Sequence, residues 1–368
     1  MVEKCNELTA HHFIAKHQTQ YLQQLKDELE PNECIILLDF AENYSFLVQD
    51  AAQAFHWVNS QCTLHPFAIY YRNESQLKCL SMCVISDCLK HDTAAVHTFL
   101  GQVLKHVKHV IPGLEKVYYF SDGAASQYKN YKNFANLMHH KRDFNLNTEW
   151  HFFTTSHVKS PCDGIGGTVK REAAHASLQA TVDGHILTAN DLFTWADKNI
   201  LGIKFIFTDQ ETVNANSDVL HSRFLKSSSV PGTRDNHSFK PVNDTILEVS
   251  RVSGTPGFHV NFEVDLVEQG LHITDMAPGQ YVTCVYDRQW WVGIIRDVSD
   301  TEQDIQVLFL HPHGPARGYF WPKREDVCWV PLQHIIMKIE VPVTFTGRCY
   351  VIKENETVDS DTFMNNFQ

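Results

Sequence analysis

Three aspartates stand where runs of strand-forming residues end. Asp39 follows the apolar run Cys34 to Leu38, Asp122 follows Lys116 to Phe120, and Asp163 comes shortly after Thr148 to Thr155. Carboxylates are hard oxygen ligands, and three drawn together from distant points of a chain can hold two magnesium or manganese ions that clamp both sides of a phosphodiester. Taken singly, each has a plainer role, since Asp122-Gly123 and Asp163-Gly164 are turn pairs and aspartate also caps helices. Glu172 is the rival third acid. On a shared helix its nine-residue separation from Asp163 amounts to about 900° of rotation, so only one of the two can face a site. Glu42 is placed to serve as an auxiliary carboxylate or as one half of a local ion pair.

The elements that must position these acids are legible in the hydrophobic pattern. Residues 8 to 29 carry Phe13, Ile14, Tyr21, Leu22 and Leu25 at helical spacing, and Pro31 ends the helix. Cys34 to Leu38 is apolar throughout, as in a strand covered on both faces. Cys62 to Tyr71 and Lys78 to Ile85 flank the turn-forming Arg72-Asn73-Glu74-Ser75 and read as a hairpin. A helix capped by Asp92 and stopped at Pro112-Gly113 follows, then a strand to Phe120 and a helix around Tyr131 to His140. A strand over Glu149 to Thr154, a glycine-rich turn and a helix from Thr168 to Ala180 complete the series. The order strand, strand, strand, helix, strand, helix, strand, helix, with acids after the first, fourth and fifth strands, predicts an RNase H-like mixed five-stranded sheet with flanking helices. In it the first and fourth strands are parallel neighbours, with the site beyond their carboxyl ends.

Three segments carry a resemblance. Leu38-Asp39-Phe40-Ala41-Glu42-Asn43-Tyr44, Ser121 to Asn130 (SDGAASQYKN) and Pro161 to Arg171 (PCDGIGGTVKR) resemble the DDE/D transposase-derived proteins of invertebrate mobile elements, over about residues 30 to 212. The resemblance implies that Asp39, Asp122 and Asp163 are the catalytic, metal-binding acids of a two-metal nuclease or strand-transferase acting on DNA. Such transposases carry a separate DNA-binding module ahead of the catalytic domain. About thirty residues precede the first strand here, the pattern of a fragment or a domesticated remnant. The other class of function is a non-catalytic nucleic-acid or chromatin-binding protein that retains the fold.

Charge bears on the substrate. A formal net charge of −12 excludes a chain that binds nucleic acid over its whole surface. Between Lys129 and Glu172, however, seven basic residues (Lys129, Lys132, Lys141, Arg142, Lys159, Lys170, Arg171) face four acids (Asp143, Glu149, Asp163, Glu172), a local excess of three. Lys129, Lys132, Lys170 and Arg171, with His157 and Lys159 in the loop before Asp163, are the candidate nucleic-acid contacts; the alternative is a solvated face. Gly164, Gly166 and Gly167 match neither a dinucleotide fingerprint nor a Walker A loop, and are read as letting a helix approach the sheet or a nucleic-acid backbone. Cys79, Cys83 and Cys88 with His91 have no zinc-finger spacing, and the three cysteines are read as buried strand thiols.

Beyond residue 212 the pattern changes. Residues 213 to 276 read as a polar, turn-rich connector. Residues 277 to 345 hold short alternating strands (Gln280 to Tyr286, Trp290 to Arg296, Ile305 to Leu310, Gly318 to Trp321, Val327 to Pro331) and predict a small, independently folding Tudor-like β-barrel. Its aromatics Tyr286, Trp290, Trp291, Tyr319 and Trp321 could cage a methylated cation of a chromatin or peptide partner, or simply fill the barrel core. Residues 346 to 368 read as a disordered acidic tail. With 43% hydrophobic residues, 368 residues supply a sizeable core. The charged N-terminus is not a secretory signal, no run spans a bilayer, and ten dispersed cysteines fit a reducing compartment. An intracellular, nuclear location with no membrane contact follows.

Overall fold

The computed structural model describes residues 2–46, 60–154, 160–179, 186–225, 227, 229–230, 232–262, 271–286, 289–312, 318–344 and 347–367. The chain falls into two compact units, one of Met1–Leu220 with Arg234–Val260 and one of His221–Thr233 with Asn261–Gln368. It is a mixed α/β protein whose first unit is built on a mixed sheet with flanking helices and whose second is a curled antiparallel sheet.

The first unit opens with helix α1 (Val2–Glu28), strand β1 (Glu33–Leu38) and the short β2 (Tyr44–Ser45). Strands β3 (Gln61–Asn73) and β4 (Gln76–Ser86) form the expected hairpin, turning at Glu74, whose φ of 55° puts a non-glycine residue in the left-handed region. Helix α2 (Thr93–Val110) starts where the Asp92 carboxylate accepts the Ala95 amide. Then come β5 (Lys116–Ser121), α3 (Tyr131–Met138), α4 (His140–Phe144), β6 (Asn147–Phe152), α5 (Pro161–Gln179), α6 (Ala189–Asn199), β7 (Ile203–Thr208), α7 (Gln210–Leu225), β8 (Ser238–Pro241), β9 (Ile246–Ser250) and β10 (Phe258–Asn261).

The sheet runs β10-β9-β8-β6-β5-β1-β3-β4-β7, with β2 paired to β3. β1 is central and almost fully buried, antiparallel to β3 and parallel to β5, and β5 is parallel to β6. The expected five strands are thus the middle of a ten-stranded sheet. β7 extends it beside β4, and β8 extends it beside β6. The stretch 213–276 is therefore not a bare connector: Phe239, Leu247 and Val249 are buried side chains of β8 and β9. Their apolar positions are too few and too widely spaced among turn residues to read as strands. The helix expected from Thr168 begins instead at Pro161, so the three glycines lie within α5. Proline favours the first turn of a helix, where its missing N–H is no loss.

The leading helix belongs to this unit. Gln18 is completely buried; its side-chain amide donates to the carbonyls of Phe152 (3.0 Å) and His237 (3.2 Å) and to Ser253 Oγ (2.9 Å), while its oxygen accepts the Ser253 amide (2.9 Å). A buried primary amide satisfied on both ends holds α1 to two neighbouring strands and to the chain after β9.

The second unit contains β11 (Tyr281–Tyr286), β12 (Gln289–Ser299), β13 (Asp304–Pro312), β14 (Tyr319–Phe320), β15 (Val327–Pro331), β16 (Ile335–Ile339), β17 (Val343–Thr344), β18 (Tyr350–Val351) and α8 (Glu354–Phe367). Its eight strands run β16-β11-β12-β13-β14-β18-β17, with β15 on β13. Register shifts at Thr283/Cys284 and Ile295/Asp297 add the local twist that curls a sheet. At Gly293 the strands approach so closely that a Cβ would stand 2.2 Å from Val307 Cγ1. The tail read as disordered is helical: Ser360 is buried and donates to Thr283 Oγ1 (3.1 Å), and Trp290 Nε1 donates to Asp361 (2.8 Å). Its acidic composition hid a helix whose polar side chains bind the sheet's own polar groups.

Candidate functional site

The parallel pairing of β1 and β5 sets Leu37 opposite Phe120. Asp39 and Asp122 each stand two residues beyond that pair, at the carboxyl ends of adjacent strands, which lie about 5 Å apart. Asp163 lies in the first turn of α5 and is exposed. The three share an electrostatic neighbourhood. Burial, then the charges of Asp122 and Asp163, push the Asp39 carboxyl up to about 7, against a smaller opposing contribution from the Phe40 amide. Burial also raises Asp122, against the Ala124 amide it accepts (3.1 Å). The charges of its neighbours thus enter the shift of Asp39, whereas that of Asp122 comes from burial.

The plainer roles are also present. Asp122 accepts its own turn's amide at Ala124, and Asp163 accepts the Ser160 amide at 3.0 Å. Among the described residues no three His, Cys, Asp or Glu side chains are arranged as a ligand set for a metal ion. The donor chemistry of the three acids suits magnesium or manganese, whereas two of them are turned onto backbone amides. Glu172, the rival acid, pairs with Arg171 (3.2 Å), and the fully exposed Glu42 stands 4.0 Å from Lys170.

Helix α5 reaches the site through one glycine. A Cβ on Gly166 would meet the Ala41 methyl at 3.1 Å and Pro66 Cγ at 3.4 Å, whereas Gly164 and Gly167 face open space. The bare α-carbon lets the helix carrying Asp163 lie close over the Asp39 segment.

Beneath the acids is a buried aromatic group absent from the sequence-derived candidates. Tyr128 is fully buried, with its hydroxyl 2.8 Å from His65 Nε2. His65 is equally buried, and its Nδ1 has no hydrogen-bond partner. Phe40 packs edge-on to His65 (4.0 Å) and stacks on His91 (4.2 Å), whose Nε2 meets Asn43 Oδ1 at 2.8 Å. Burial followed by the charges of Asp39 and Asp122 holds the Tyr128 phenol well above its ordinary range. One signal for this group was available: a histidine inside the apolar run Cys62 to Tyr71.

The candidate nucleic-acid contacts divide. Lys129 is buried and donates to the Arg234 carbonyl (3.0 Å); burial lowers its amine to about 8, with the Asp235 charge opposing. It is therefore not a surface phosphate contact, because the turn after Asp122 carries it inward against Phe152. Lys132 lies over the Tyr131 ring (5.7 Å), Lys170 is half-buried and Arg171 is exposed. His157 and Lys159 lie outside the described residues.

Of the thiols, Cys83 and Cys88 are buried but Cys79 is exposed, because the outer half of β4 extends past the core. In the second unit the four candidate aromatics whose side chains are described do not form one cage. Trp290 and Trp291 are consecutive on β12 and face opposite ways. Trp291 joins the core with Phe309 (6.2 Å), while Trp290, Tyr319 and Trp321 pack with Tyr350 around Val292, Leu310 and Ile352. The Tyr286 side chain lies outside the described residues.

Residues 18–253 match the family described as "Domain of unknown function (DUF8701)", a span whose ends are Gln18 and Ser253, the pair that clasps α1. No curated protein and no solved structure matches the chain. Among the described residues no helix is long and apolar enough to cross a membrane.

Proposed function

Because the chain belongs to this DUF8701 family, whose description assigns no activity, we propose a function from the acid site itself: metal-dependent phosphoryl transfer on DNA, of the nuclease or strand-transferase type. The reading takes β4-β3-β1-β5-β6 as an RNase H-like core. One observation carries it. Asp39 and Asp122 stand side by side beyond the ends of two adjacent parallel strands, and burial with the charges of Asp122 and Asp163 raises the Asp39 carboxyl there, a repulsion that a bound cation would relieve.

Asp39, Asp122 and Asp163 would hold magnesium or manganese, which when bound would activate an attacking oxygen and stabilise the leaving one. The protein's own contribution is placement. Strands β1 and β5 present two carboxylates from rigid, buried backbone, and α5 presents the third from a helix start. Lys132, Lys170 and Arg171 would meet the phosphates flanking the scissile one.

Asp122→Asn should abolish magnesium-dependent nicking of DNA and weaken Mn²⁺ binding in calorimetry, with the circular dichroism spectrum unchanged. Nicking that survives it would assign the activity elsewhere.

A second reading rests on the turn roles of Asp122 and Asp163, which need no cation. In it the chain is a remnant that binds DNA or a chromatin partner without cleaving. Retention of DNA at low salt, with no Mn²⁺ binding by the intact chain, would favour it.

A further inference from the structure

Asp39 and Asp122 come from segments that the sheet brings together only through β1 and β5, both of which end before the acids. Beyond β1 the Asp39 segment is held on β3, where the Asp39 and Ala41 amides donate to the Pro66 (3.4 Å) and Leu64 (3.0 Å) carbonyls. The segment after Asp122 is tightly self-bonded: the Ala124 carbonyl accepts the amides of Tyr128 (2.9 Å) and Lys129 (3.1 Å), and Asn133 Nδ2 donates to the Tyr128 carbonyl (2.8 Å). Thr93 Oγ1 donates to the Gln127 carbonyl (3.1 Å), joining this turn to the start of α2. From this fixed turn the Tyr128 side chain points inward to His65 on β3, the residue between Leu64 and Pro66, which hold the Asp39 segment. The ring of Phe40, the residue after Asp39, packs on both His65 (4.0 Å) and Tyr128 (6.0 Å).

Among the described residues the Tyr128 hydroxyl is the side-chain partner of the buried His65 ring, whose Nδ1 has none. Whichever of the two carries the shared proton, removing the phenol oxygen leaves the His65 ring unpaired in the interior.

We infer that Tyr128 is a positioning residue of the acid site, a buried cross-link that fixes the Asp39 strand end against the Asp122 turn, with His65 holding its hydroxyl in place. This rests on the proposed function for its purpose but not for its geometry, and the two can fail separately.

Tyr128→Phe removes one oxygen and keeps the ring. In an assigned amide NMR spectrum of the full chain it should shift Phe40 and Asp39 together with Asp122 to Ala124. Changes confined to residues 124 to 131, with Asp39 and Phe40 unmoved, would overturn the cross-link. In a Mn²⁺ titration Tyr128→Phe should weaken binding about tenfold. His65→Gln, whose amide can replace Nε2 as the partner, should stay within about threefold of the parent, and His65→Leu should match Tyr128→Phe. Parental Mn²⁺ affinity in Tyr128→Phe would overturn the positioning role. A parent chain that binds no Mn²⁺ would overturn the proposed function, and the Phe40 amide would still decide the cross-link.

Discussion

Gly166 rests its bare α-carbon against Ala41, so that the helix bearing one acid touches the segment bearing another with no side chain between them. The Ala41 methyl is fixed to backbone and cannot rotate away. Gly166→Ala should therefore destabilise the protein by about 1 kcal/mol net of the helix-propensity gain of alanine, whereas Gly164→Ala and Gly167→Ala, which face open space, should stabilise it by about 0.5–1 kcal/mol each. Urea unfolding of the three variants checks the contrast; equal effects at all three would show that the contact carries no strain.

The pH dependence of stability without divalent ions should have a component from Asp39. Its carboxyl is raised in the folded state to about 7 from an ordinary value of 3.8, so the folded form holds that proton more tightly than the unfolded one. The stabilisation is complete below about pH 3.8 and is lost as pH rises to 7. Thermal melts in chelator between pH 5 and 8 should show a falling midpoint that Asp39→Asn flattens, and an unchanged slope would contradict the shift.

Glu149 has the opposite sign. Burial pushes its carboxyl up, but His151 Nε2 at 3.5 Å and the Lys116 ammonium at 2.7 Å outweigh it and hold the group at about 2. Its stabilisation is present above about pH 4.5 and is lost as pH falls toward 2. Glu149→Gln should cost about 3 kcal/mol at pH 7 and lose most of that penalty at pH 2.5, because near its own pKa the parent carboxyl takes up a proton and gives up the same ion pairs. Denaturant titrations at the two pH values measure the difference.

Lys129 and the outer cations should separate by phenotype. Lys129→Ala should lower stability by about 2 kcal/mol, through its lost stem packing and the lost bond to the Arg234 carbonyl, with no change in the salt slope of DNA binding. The triple change Lys132→Ala, Lys170→Ala, Arg171→Ala should leave stability near parental and flatten the slope, since each neutralised phosphate releases about one counterion. Fluorescence anisotropy across a salt series reads both.

Truncation after residue 345 should unfold the second unit. It removes Tyr350 and Ile352, which pack with Trp290 and Tyr319, and Ser360, whose buried hydroxyl meets Thr283. Loss of near-ultraviolet circular dichroism and a red shift of tryptophan emission are the expected outcomes. Retention of both would restore the smaller barrel read from the sequence.

What was legible followed the strength of the local signal. Cys34 to Leu38 is apolar at every position and reads as a central strand, which β1 is; Asp92 reads as a cap and accepts the Ala95 amide. The placement of Asp39 and Asp122 follows from strand order alone, because parallel neighbours end side by side. Position within a three-dimensional crowd was not legible. Lys129 looks like any surface lysine until the Asp122 turn carries it inward, and Trp290 and Trp291 look like one aromatic pair until the strand sends them to opposite faces. Phe239 and Val249 sit among residues that favour turns, so only pairing with β6 and with each other makes them strands.

The bond between Gln18 and Ser253 also constrains the order of folding. Helix α1 leaves the ribosome before its anchor, which is synthesised 235 residues later. At a synthesis rate of roughly 5–20 residues per second, Tyr21 and Leu22 wait on the order of ten seconds or more for the strands and the serine that will cover them. Such a long-range closure comes late, since the entropy of joining distant parts of the chain is spent before the contact rewards it. Until then the few apolar side chains of α1 stay uncovered, so where one buried amide finds its partner sets how long they are exposed during synthesis.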